Sequence, residues 1–234
     1  MFQSPLPESA IIALVILGLV VLFAPGPGLR GSLDAWRRAA GFFAVSYSVV
    51  TLTLSRIAVP SQVLPTADLD WLIASGCYLL LVVVGYGLVW PQGTVAHGRP
   101  LRPAFATLFG LLWGLAQSGL FLSIWLWIGA LGLNPWWTAV LAYFGIAAYQ
   151  GLWHGLFWDI KVSPPHNLRS WNAKKVALVH TPNLLVTVVY LASFGMEVAW
   201  VVVLAQTIAL LLSAWFMHFP APLDEPAPVP EPDD

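Results

Sequence analysis

Hydrophobic positions in this chain fall in long, nearly unbroken runs, not in the alternating stripes of soluble helices and strands. A bilayer core of about 30 Å needs about 20 mostly apolar residues per helix. Seven stretches meet that demand, approximately residues 9–25, 39–59, 71–90, 104–131, 136–159, 176–194 and 197–219. The first is short, and the fourth is long enough to tilt or protrude. Proline and glycine cluster where these runs stop, as in Pro25-Gly26-Pro27-Gly28, Pro60, Pro91 and Asn134-Pro135. Trp71, Trp90, Trp136, Trp137 and Trp158 mark the edges, which suits rings seated at a membrane interface. The pattern predicts an all-α, polytopic integral membrane protein, a bundle of about seven transmembrane helices over residues 1–219. Residues 220–234 read as a disordered, Pro-rich, acidic tail.

Composition removes the soluble alternative. Apolar residues make up 59% and charged residues 9% of the chain, against about 45–50% and about 25% in soluble domains. A net charge of −1 offers no basic surface for nucleic acid. The lone Cys77 excludes an internal disulfide and reads as a small packed hydrophobe. The first nine residues carry Glu8 and no positive charge, so a cleavable signal peptide is not expected.

Charge then gives direction. Arg30, Arg37 and Arg38 follow the first run, and Arg99 and Arg102 follow the third. Lys161, Arg169, Lys174 and Lys175 follow the fifth. If every run crosses, nine of the ten basic residues share one side. The positive-inside rule makes that side cytoplasmic and sets the N-terminus outside, in a multi-pass protein of the cell membrane. Arg56 falls at the opposite interface, where it can snorkel or pair with Glu197.

Polar residues inside apolar runs carry the candidate chemistry, because each is costly there. The fifth run places Tyr143, Gln150, His154 and Lys161 on one helical face, with Ala147 and Trp158 between them. The sixth places His180, Asn183, Thr187 and Tyr190 on one face. Two such stripes on consecutive antiparallel helices are expected to face each other, with His154 and His180 at one level. Pro182 removes a backbone donor and frees the carbonyl near Leu178, which would open a pocket beside His180. Gln117 and Gln206 read as interhelical glue, and Gly110 and Gly114 as a close helix contact.

Three functions fit this reading. The leading one is an integral-membrane enzyme acting on a lipid or isoprenoid from the cytoplasmic leaflet. His154 and His180 would be its acid/base pair. Gln150, Asn183 and Tyr190 would orient the substrate, and Lys161, Arg169, Lys174 and Lys175 would hold an anionic head group. The alternatives are a transporter or permease for a small neutral solute and a non-catalytic subunit or assembly factor. Expected partners are membrane lipids, with a membrane protein or a second copy under the subunit reading. No cofactor is indicated. His154, His166 and His180 form a weak metal set without a recognised ligand spacing. A retinal photoreceptor is excluded, because residues 197–219 contain no lysine for a Schiff base.

Overall fold

A computed structural model gives the architecture and describes residues 7–23, 32–64, 68–92, 99–153 and 173–224. Among these the regular structure is entirely helical, in seven helices. They are α1 (Glu8–Phe23), α2 (Ser32–Arg56), α3 (Leu69–Val84), α4 (Pro103–Gly129), α5 (Pro135–Trp153), α6 (Thr181–Phe194) and α7 (Trp200–Phe216). A π-helical turn, Gly85–Val89, extends α3, and another, Val176–His180, leads into α6. Each apolar run of the sequence thus corresponds to one helix. Three are long and apolar enough to cross a membrane: Leu69–Val89, Pro103–Gly129 and Val176–Phe194. α1 and α7 are apolar but have only 16 and 17 residues.

Local chemistry sets the helix starts. The Asp68 carboxylate accepts the Trp71 N–H at 3.0 Å and caps α3, and the Asn134 side chain does the same for Trp137 of α5 at 3.0 Å. Pro103 and Pro135 take first-turn positions, where a missing N–H costs nothing.

Small residues bring the helices together. α4 packs most extensively against α7. A Cβ on Gly110 would lie 2.6 Å from Leu211 Cα, and one on Gly114 2.5 Å from Thr207 Cα, so the expected glycine contact is made here. α1 and α2 cross as closely, since a Cβ on Gly41 would meet the Gly18 carbonyl at 2.7 Å.

Cations finish α1. Arg37 Nη1 donates to Val21 O at 2.8 Å and Arg38 Nη1 to Leu22 O at 2.7 Å, satisfying carbonyls that the last turn leaves open. Asp34 holds both guanidiniums, at 2.8 and 2.7 Å. Burial raises the Asp34 pKa, but hydrogen bonds from Arg38 and Arg37 outweigh it and leave the carboxyl below its usual value.

At the same end, the Trp36 ring packs on Phe105, Phe109 and Phe219, and its N–H donates to Pro220 O at 2.8 Å. Arg102 pairs with Asp224 at 3.1 Å. Pro220 and Asp224, which composition assigns to the tail, are therefore held on the helices. Two further expectations change. Arg56 pairs with Glu8 and not with Glu197, because α1 is the neighbour that the α1–α2 crossing brings alongside. Cys77 is exposed on α3, not packed.

The α4–α7 crossing yields a test. Gly114→Ala should lower unfolding stability by about 1–3 kcal/mol through overpacking. Gly76→Ala, where a Cβ meets nothing within 4 Å, should leave it unchanged or slightly raised. Thermal unfolding in detergent compares the two.

Candidate functional site

Gln206 of α7 is fully buried and occupies the centre of a polar cluster contributed by four helices. Its Oε1 accepts from Gln117 Nε2 of α4 at 3.3 Å and from Asn183 Nδ2 of α6 at 3.1 Å. Its Nε2 donates toward Asn183 Oδ1 and Thr187 Oγ1 of α6, both at 3.1 Å, and toward the Tyr78 hydroxyl of α3 at 2.9 Å. Asn183 and Gln206 thus form a reciprocal amide pair, in which each satisfies the other's donor and acceptor. A second pair, Ser75 with the Tyr190 hydroxyl at 2.8 Å, ties α3 to α6 further along.

Donor counting gives the hydroxyl hydrogens a direction, while the two hydrogens of Gln206 Nε2 are shared among three acceptors. The Thr187 hydroxyl donates to its own helix at Asn183 O, at 2.7 Å, so the Tyr78 hydroxyl must donate to Thr187 Oγ1, at 2.6 Å. Asn183 Nδ2 donates to the Tyr86 oxygen at 3.4 Å. The Tyr86 hydroxyl then has its own proton to give, and His180 Nδ1 is 3.3 Å away. Nδ1 is the acceptor, so the neutral ring carries its hydrogen on Nε2. His180 is held from the side as well, with Trp90 and Tyr86 edge-on at centroid distances of 5.3 and 6.1 Å.

The backbone at His180 follows from Pro182. Without the proline N–H, the Leu178 carbonyl loses its α-helical donor, and the turn Val176–His180 widens to a π register closed by Thr181 N–H to Val176 O. The π turn of α3 lies against it, with Gly85 allowing Val179 to approach to 3.3 Å of a would-be Cβ.

Beside this widened turn is a cavity of about 230 Å³ between α5 and α6. Tyr143, Ala147, Gln150 and Gly151 line it from one side, and Val176, His180, Thr181 and Leu184 from the other. The expected pocket beside His180 is present, and the α5 stripe 143, 147, 150 faces it. Gln150 is 7% exposed, yet neither its Nε2 nor its Oε1 has a hydrogen-bond partner. Buried amides are nearly always satisfied, so this one stands out.

The sequence-derived site residues separate accordingly. Gln150 and His180 meet at the cavity. Asn183 and Tyr190 do not face α5: Gln206 and Tyr86 engage the first, Ser75 the second, so both hold the bundle together. Lys174 is exposed and donates to Gln92 at 2.8 Å. Lys175 is buried with its ammonium 4.7 Å from the centre of the Trp90 ring. His154, Lys161, His166 and Arg169 lie outside the described residues. Among the described residues, no three His, Cys, Asp or Glu side chains gather as a metal site. Tyr78 and Tyr86 were missed, although Ser75, Tyr78, Val82 and Tyr86 follow a helical spacing of three, four and four.

No family model matches the chain, and no curated protein or solved structure is similar to it.

The two buried glutamines predict opposite outcomes. Gln206→Leu removes four hydrogen bonds, two at Oε1 and two among the three acceptors around Nε2, and should cost about 2–4 kcal/mol. Gln150→Leu removes an unpaired amide and should raise stability by about 1 kcal/mol. Unfolding of both variants in detergent decides it. Burial lowers the Lys175 pKa to about 8. The folded chain then sheds this proton before the unfolded one does, so stability should rise with pH from about 8 toward 10.5. Lys175→Met should flatten that rise in a pH series of melting temperatures.

Proposed function

We propose that the chain is a seven-span membrane enzyme whose substrate is a lipid or isoprenoid amphiphile entering from the cytoplasmic leaflet between α5 and α6. Its N-terminus lies outside. Several observations support the membrane setting. The exterior is apolar, with Leu72, Ile73, Leu80, Leu88, Leu108, Phe144 and Leu185 exposed along three long helices and α5. Arg37 and Arg38, Arg102, and Lys174 and Lys175 stand at or before the starts of α2, α4 and α6, all at one end of the fold. At the other end, Arg56 is neutralised by Glu8.

The observation that carries the function is the unpartnered Gln150 amide in a cavity shared with His180. Packing alone does not account for it, because leucine would fill the same space at lower cost. In this reading the amide orients the substrate's polar group. His180 exchanges a proton with it, its tautomer set by Tyr86. Lys174, exposed two residues before the cavity residue Val176, favours the anionic leaflet surface. A carrier is less well supported, since the Gln206 cluster closes the bundle behind the cavity.

Native mass spectrometry of the detergent-purified chain should show one retained amphiphile, lost in Gly151→Phe, which fills the cavity. Incubation with a membrane lipid extract should convert one species, and His180→Gln should stop conversion while keeping the amphiphile bound. A chain that retains nothing, or a His180→Gln variant with full turnover, overturns the proposal.

A further inference from the structure

We infer that the group Gln150 binds is an uncharged carbonyl head group with donor and acceptor side by side: a carboxamide or protonated carboxylic acid on an apolar chain. The inference rests on the cavity being the substrate site and adds the identity of what enters it.

The protein itself shows how a primary amide is satisfied in this interior. Asn183 and Gln206 close a two-bond ring at 3.1 and 3.1 Å, each amide matching donor to acceptor. Gln150 presents the same pair of groups with neither used. A phosphodiester or fully ionised phosphate offers only acceptors to it and would leave Oε1 unsatisfied. An ammonium offers only donors and would leave Nε2 unsatisfied. A single hydroxyl cannot reach both atoms in good geometry. A carboxamide or a protonated acid reproduces the Asn183–Gln206 ring.

The lining sets the charge of the ligand. Among the described residues the lining, Tyr143, Ala147, Gln150, Gly151, Val176, His180, Thr181 and Leu184, includes no carboxylate, and Lys175, next to Val176, is engaged with Trp90. A cationic head group meets no carboxylate among these residues. His180 Nε2–H adds a donor on the cavity's other wall, suited to the second lone pair of the ligand carbonyl.

Size sets how much of the ligand enters. A volume of about 230 Å³ exceeds several waters at roughly 30 Å³ each but falls below the roughly 300–1,000 Å³ of sites that enclose whole ligands. The head group fits inside, and the chain is left to run past Val176 and Leu184, both cavity residues, with Leu152 exposed nearby on α5.

The test compares oleamide, oleic acid and oleyl alcohol, three probes on one chain, binding to the full protein in neutral detergent. Oleamide at any pH, and oleic acid at a pH low enough to protonate it, should bind roughly tenfold or more tighter than oleyl alcohol, and ionised oleate should lose that advantage. Gln150→Leu should erase that preference while its melting temperature rises, as expected from losing an unpaired amide, with Gln150→Met as a second variant. Equal binding of all three probes, or an unchanged preference in both Gln150 variants, overturns the head-group inference and leaves the cavity as the lipid site. Preference that persists in Gly151→Phe places binding elsewhere and overturns the proposed function as well. A wild-type chain that binds none of the probes but retains another amphiphile overturns the head-group inference alone.

Discussion

An amide removed from water must find its hydrogen bonds inside the protein, and this requirement organises the bundle. Gln206 meets it with partners from α3, α4 and α6, so one side chain fixes the mutual placement of four helices. Apolar packing alone would not do so, because lipid tails and leucine side chains are equivalent surroundings for a helix in a membrane. The glycine contacts between α4 and α7 bring the backbones close enough for Gln117 to reach Gln206.

The same requirement makes Gln150 informative. Two glutamines, buried to a similar degree, reach opposite states: one fully bonded, the other with none. Unpartnered buried amides are rare in native structures, and each calls for a reason such as a role in function. The position of Gln150 beside His180, on the wall of a cavity, is where such a cost has a use. The cluster behind His180 is rigid for the opposite reason, since its donors and acceptors are matched through Asn183 and Tyr86.

Much of this was legible from the residue pattern, and the limits have a physical cause. Hydrophobic runs located the seven helices of the described residues, and the spacing of Tyr143, Ala147 and Gln150 gave the face that lines the cavity. Pro182 indicated the opening beside His180. A stripe tells that a face is buried but not which neighbour buries it. The α6 stripe was therefore assigned to α5, whereas Asn183, Thr187 and Tyr190 turn to α7 and α3. The Arg56–Glu8 pair was hidden for the same reason: it depends on the α1–α2 crossing, not on spacing along the chain. Seams between helices are tertiary facts, and tyrosine hides them best, since it passes for a hydrophobe until its hydroxyl finds a partner.

The π turn Val176–His180 has a consequence for how one helix serves two neighbours. Its wider winding changes the angular phase of everything before it relative to everything after, and a single residue is worth about 100° of rotation in an α-helix. His180 sits at that junction, with the cavity wall on the α5 side and the Asn183–Thr187 seam on the α7 side. The turn works as a phase shifter. Losing or gaining one residue there would re-aim the turn before it, including Lys174 and Lys175, without disturbing the register of the seam. The cavity wall and the structural core can therefore diverge independently, although they lie on one continuous helix.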